Sequence, residues 1–275
     1  MNLKTIISII KSEIIIAAIS WLLSFVVMAV CWVARIEGGY LNNYIGDMIT
    51  AFFVFFLATS FAYTAVWLVK NTKKNQLLNM RNENGYSDEY FSALKDRYIL
   101  KTKFSLAFKN ALFISGEYAD ANRFDEALEV LSVIDCDRCN YTQKIRLACE
   151  YLKIYSLSKN ESDANSVYIT ILETASYSKL KKDVFAYVKY SGALYEYLLR
   201  DYEQAAKSTQ EAYELSKDKK LKTDSALMLG LSCLKLGDKE SAKHYAEVSS
   251  KNISTPAQRE NLLSLMSAVE RAYGI

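Results

Sequence analysis

A chain of 275 residues with a single proline, nine glycines and 51% hydrophobic residues is poor in turn formers. That composition excludes a sandwich or barrel of short strands joined by tight hairpins and points to an all-α fold. The formal net charge of +3 supplies no concentrated basic face, so nucleic acid is not an expected partner, and the twenty tyrosines are scattered at helical spacing as packing groups are.

The first segment stands apart. Residues 14–34 and 48–69 are uncharged runs of 21 and 22 residues, bounded by Glu13, Arg35, Asp47 and Lys70. As helices at about 1.5 Å per residue each would span roughly 30 Å, the thickness of a bilayer core. The expectation is a two-helix transmembrane hairpin over residues 1–70, turning at Gly38-Gly39. Lys4 and Lys11 precede the first run and Lys70, Lys73, Lys74 and Arg81 follow the second, whereas the loop offers only Arg35. This asymmetry predicts both termini in the cytoplasm and an integral protein of a membrane, taken as a bacterial inner membrane from the isoleucine-, lysine- and asparagine-rich composition.

Residues 71–86 are polar and asparagine-rich, ending in Gly85, and read as a linker. Ser87 is placed to cap a helix opening with Asp88-Glu89. From there to residue 275 the chain repeats. "ALFISGEYADANRFDEALEVLSVI" (111–134) and "ALMLGLSCLKLGDKESAKHYAEVSS" (226–250) share a plan of apolar helix, short polar turn, then a helix with an early alanine. The alanines of four such units, Ala127, Ala164, Ala205 and Ala242, are 37, 41 and 37 residues apart. Helix–turn–helix units at this period predict a solenoid of about four helix pairs. Thr255-Pro256-Ala257-Gln258 then opens a C-terminal capping helix. The glycines and lysine of 230–239 do not make a phosphate loop, since six residues separate Gly230 from Gly237 and the context is helical.

These units resemble the tetratricopeptide repeat (TPR) over about residues 108–254. Ala111, Ile114, Ser115, Tyr118, Phe124 and Ala127 fit the pattern in the first unit; Leu147, Ala148 and Tyr151 in the second; Gly192, Tyr195, Tyr202, Ala205 and Ala212 in the third; Leu229, Gly230, Gly237-Asp238 and Ala242 in the fourth. The resemblance implies a concave groove lined by the first helix of each pair, here by Lys109, Lys153, Lys189, Glu196, Tyr197 and Lys235. Four lysines over leucines suit an acidic segment of a protein or peptide partner. The family's chaperone-tail clamp places lysine and asparagine where Leu112 and Gly116 stand, so a chaperone co-factor is not implied.

Chemistry is sparse. The lone histidine, His244, has no nucleophile elbow near it in sequence. Cys136-x-x-Cys139, with Cys149 as a third ligand, is a weak candidate for zinc or for redox cycling, against two free thiols in an inter-repeat turn. No cofactor and no enzymatic activity are expected. The leading expectation is a membrane-tethered TPR scaffold; a membrane-bound peptide sensor is the alternative, and a cysteine-based metal or redox protein ranks third.

Overall fold

The computed structural model describes residues 44–98, 104–175 and 180–274, in two compact units that divide after Leu78. Among the described residues all regular structure is helical. The first unit is represented by most of α1 (Tyr44–Asn84), whose last turn belongs to the second.

In the second unit α2 (Asp88–Tyr98) is followed by four helical hairpins: α3 (Phe104–Asp120) with α4 (Phe124–Ser132), α5 (Tyr141–Leu157) with α6 (Glu161–Thr174), α7 (Lys182–Leu198) with α8 (Tyr202–Leu215), and α9 (Lys219–Lys235) with α10 (Lys239–Ser250). A final helix, α11 (Pro256–Tyr273), closes the series. The odd-numbered helices from α3 to α11 pack in succession on one another, and each even-numbered helix from α4 onwards lies on the odd helices before and after it. Ser87 Oγ accepts a hydrogen bond from the Tyr90 amide at 3.2 Å, capping α2, and Thr255 caps α11 through the Gln258 amide.

The membrane expectation is corrected here. Among the described residues no helix is long and apolar enough to cross a membrane. The uncharged run 48–69 lies within α1, but it holds polar Thr59, Ser60, Tyr63 and Thr64, and the helix continues without a break through the polar stretch 70–84. The hydroxyls of Thr59 and Thr64 bond back to the carbonyls of Phe56 and Ser60. The transmembrane hairpin is thereby overturned for the described residues. The integral-membrane assignment and the inner-membrane location with cytoplasmic termini go with it. The other expected span, 14–34, lies outside the described residues. The segment 71–84, read as part of a linker, is helical, and the chain first leaves helix at Gly85.

Inside each hairpin the same turn recurs. Asn122, Lys159, Arg200 and Gly237 carry positive φ of 58°, 60°, 65° and 83°, each two residues before an even-numbered helix begins. The next residue's amide then reaches back five positions: Arg123 to the Tyr118 carbonyl, Asn160 to Tyr155, Asp201 to Glu196, and Asp238 to Cys233, all at 2.9–3.0 Å. This is the left-handed helix stop that satisfies orphan carbonyls. Asn160, Asp201 and Asp238 also cap the helix that follows.

Four residues into each even helix stands Ala127, Ala164, Ala205 or Ala242, every one fully buried. The lack of a side chain beyond Cβ allows the paired helix to pass at close range. Ser115 Oγ donates to the Ala127 carbonyl at 3.0 Å, and a Cβ placed on Gly230 would stand 3.4 Å from the Ala242 carbonyl. The two residues are equivalent, each nine positions before its even helix starts. Counted the same way, the third unit uses Ala193, one position on from Gly192, and the second uses Leu152.

The left-handed positions are therefore unequal in cost. Arg200→Gly should stabilise the chain by about 1 kcal/mol, because an L-residue in that region is strained, and Gly237→Ala should destabilise it by a similar amount. Ala205→Leu should cost about 1–3 kcal/mol by overpacking. Urea unfolding followed by circular dichroism measures all three.

Candidate functional site

The inner helices α3, α5, α7 and α9 surround a cavity of about 470 Å³. Its wall is built from one recurring position. Counting back six residues from Ser115, Leu152, Ala193 and Gly230 gives Lys109, Arg146, Tyr187 and Asp224, and all four line it. Lys153 and Gly116, each one residue past those small or apolar markers, line it as well, with Tyr190, Glu150 and Lys220.

Its depth is a charge cluster. Asp120, at the end of α3, takes Lys220 Nζ at 2.5 Å and lies 3.6 Å from Lys153 Nζ, which also stands 3.4 Å from Glu150 Oε1. Burial alone would raise the Asp120 carboxyl, yet the two ammonium groups hold it below the usual carboxylate value. Burial would lower Lys153, and Glu150 and Asp120 reverse this. Asp224 is pushed up to about 6, chiefly by burial, against the opposing pull of Lys220; its Oδ1 accepts from Gln258 Nε2 at 2.7 Å. Burial lifts the Tyr190 hydroxyl far above its ordinary value, and Asp224 and Asp120 add to this.

One turn before Asp120 a second buried carboxylate is satisfied in the same way. Glu117, 2% exposed, receives Arg81 Nη1 at 2.9 and 3.1 Å and the Tyr90 hydroxyl at 2.7 Å. Arg81 Nη2 donates to the Ser254 carbonyl at 2.9 Å, so one guanidinium ties the end of α1 to the first hairpin and to the approach to α11.

The rim is different. Among the described residues neither Lys109 nor Arg146 has a carboxylate within ion-pair distance. The Arg146 guanidinium lies over the Tyr187 ring and its buried Nε has no hydrogen-bond partner. The Tyr187 hydroxyl bonds Asp218 at 3.3 Å. Such a site offers two cations and aromatic surface beside Asp218, above a floor of paired charges. It can hold an anionic group but presents no activated nucleophile.

Of the groove residues read from sequence, Lys109 and Lys153 meet in this cavity. Lys189 instead pairs with Glu211 of α8 at 2.8 Å. Glu196 is buried, receives the Tyr168 hydroxyl at 3.4 Å, and has its carboxyl raised by burial. Tyr197 packs edge-on to Tyr202, and Lys235 is exposed in the last turn of α9. Arg146, Tyr187, Asp224 and Lys220 were not read from sequence; counting from the left-handed turn rather than from the nearest small residue finds the first three.

Cys136 is exposed in a short 3-10 turn (Cys136–Arg138), and Cys139 is buried. Cys149 is buried in α5 with its thiol pushed up to about 12 by burial. Among the described residues no group of three or more His, Cys, Asp or Glu side chains is placed to hold a metal ion. His244 is exposed beside Tyr245. No protein-family model matches the chain, and a search of curated proteins finds no match.

Two outcomes follow from the buried charges. Because the folded chain holds the Asp224 proton more tightly than an unfolded one, this group's contribution falls as pH rises from its ordinary 3.8 through about 6. Asp224→Asn should therefore be more stable than the wild type by up to about 3 kcal/mol at neutral pH, with the gain gone by about pH 4; urea titrations at the two pH values read this. Arg81→Ala should destabilise by about 3–5 kcal/mol, since it strands Glu117 without a counter-charge.

Proposed function

We propose that the chain is a helical-repeat binding module of the TPR type, which takes a short acidic segment of a protein partner into the cavity between α3, α5, α7 and α9. The observation that carries this reading is the convergence of one equivalent side chain from each hairpin on a single cavity whose rim cations, Lys109 and Arg146, are not engaged by carboxylates among the described residues. A scaffold or adaptor role follows from binding without an arranged nucleophile, and needs no membrane tether. A peptide-sensor variant is favoured by one contact: Lys220, which lines the cavity, pairs with Asp120 and so joins the first and fourth hairpins, so an acidic ligand competing for Lys220 would loosen the array.

The test is fluorescence anisotropy of the full chain with labelled ten-residue peptides, rich in aspartate and glutamate in one panel and in lysine in the other. Acidic peptides should bind with strong salt dependence, and Lys109→Ala or Arg146→Ala should weaken binding about tenfold each. Equal binding of the basic panel, or indifference to both substitutions, would sink the reading.

A further inference from the structure

Helix α11 carries two heptad stripes. The inner one, Gln258, Leu262, Leu265 and Val269, is buried against the last hairpin. The second, a quarter-turn round the helix on the side of α10 and called outer here, is Arg259, Leu263, Met266, Glu270 and Tyr273, spaced four, three, four and three residues apart, and every member is exposed. Leu263 is 62% and Met266 42% accessible, whereas the face opposite the buried stripe carries Glu260, Ser264, Ser267 and Arg271. Met266, Glu270 and Tyr273 also border a largely apolar groove of about 310 Å³ shared with Ala246 and Glu247 of α10.

Two exposed apolar residues three apart, flanked at four residues on each side by Arg259 and Glu270, can form a short two-heptad seam. We infer that the outer face of α11 docks on the same face of a second copy of this chain, antiparallel. The charge order along the stripe selects that occupant. A two-fold axis between Ser264 and Leu265 sets Leu263 of each copy against Met266 of the other. The same axis places Arg259 against Glu270 at both ends. The surface is self-complementary, as an isologous interface requires, with an apolar centre and a charged rim. A parallel pairing would instead set Arg259 against Arg259 and Glu270 against Glu270. Tyr273 lies beyond the Arg259–Glu270 pairs and is turned to α10, where its hydroxyl bonds Glu240 at 2.6 Å. The inference stands independently of the cavity and of what fills it.

The experiment is sedimentation velocity on the full chain over about 1–100 μM, a range that covers interfaces of modest size. The wild type should dimerise with concentration, and Leu263→Lys with Met266→Lys should abolish the dimer. Arg259→Glu alone and Glu270→Arg alone should each weaken association at least about tenfold, while the two together should restore it, because the reversed charges again face each other. Far-UV circular dichroism checks that each variant retains its helix content. A wild type that stays monomeric overturns the inference. So does a dimer indifferent to the lysine substitutions, or a double charge reversal that fails to restore association.

Discussion

The structure of the second unit turns on one carboxylate. Asp120 is withdrawn from water at the end of α3, and an ionised group in that position is tolerated only if opposite charges surround it. Lys153 comes from the next hairpin, but Lys220 lies 100 residues along the chain. Satisfying this single charge requires the start of α9 to come over the end of α3. A helical array that could have been an open trough is therefore drawn in, and the space between its inner helices becomes a pit of limited volume. Glu117, one turn earlier, imposes a parallel requirement that is met by Arg81 and the Tyr90 hydroxyl, and Arg81 in turn donates to the Ser254 carbonyl. The two buried acids act as fasteners: hydrophobic burial drives collapse without direction, whereas each paired charge accepts only one partner arrangement.

The rest of the geometry is local and repetitive. Each hairpin reverses through a left-handed residue and then brings an alanine to the closest point between its helices. Only the fourth hairpin uses glycine for the reversal; the others force asparagine, lysine or arginine into the strained region. The array tolerates this because the following helix is capped three times out of four and the alanine contact holds the pair together. At the first hairpin, where Arg123 supplies no side-chain cap, its guanidinium instead lies against the rings of Phe91 and Tyr118 and pairs with Asp88 and Glu126. That contact joins α2 to the first hairpin, and the stacked Phe91 and Tyr118 rings, 4.1 Å apart, complete it.

What was legible in the sequence follows this division. The hairpins could be read because alanine spacing, turn and cap are short-range signals. Asp120–Lys220 could not, since nothing in a linear pattern links charges a hundred residues apart. The cavity wall fell between these cases. Taking Gly192 as the small residue of α7, in place of Ala193, shifts the register by one, and one residue is 100° of rotation on a helix. Such a shift replaces Tyr190 by Lys189, which faces α8, and Tyr187 by Ala186. The apolar run 48–69 misled for another reason. Absence of charge is a necessary property of a membrane span, and it says nothing about the polar hydroxyls inside the run or about whether the helix stops where the run does.

The two ends of the array are finished differently, and the difference has a physical cause. At the beginning, α2 buries Tyr90, Phe91 and Leu94 almost completely, and Glu89, Ser92, Lys95 and Asp96 on the rest of its surface are exposed. At the close, α11 uses one stripe to cover the last hairpin, anchored by Gln258 on Asp224 and on the Lys220 carbonyl. Its neighbouring stripe stays apolar at the centre. A solenoid is stable only when its terminal units shield the apolar faces behind them. α11 does this for the hairpin before it and carries a further stripe, apolar at its centre, on the side of α10. The charge cluster beneath α11 fixes its rotation through Gln258, and so fixes which stripe is turned outward.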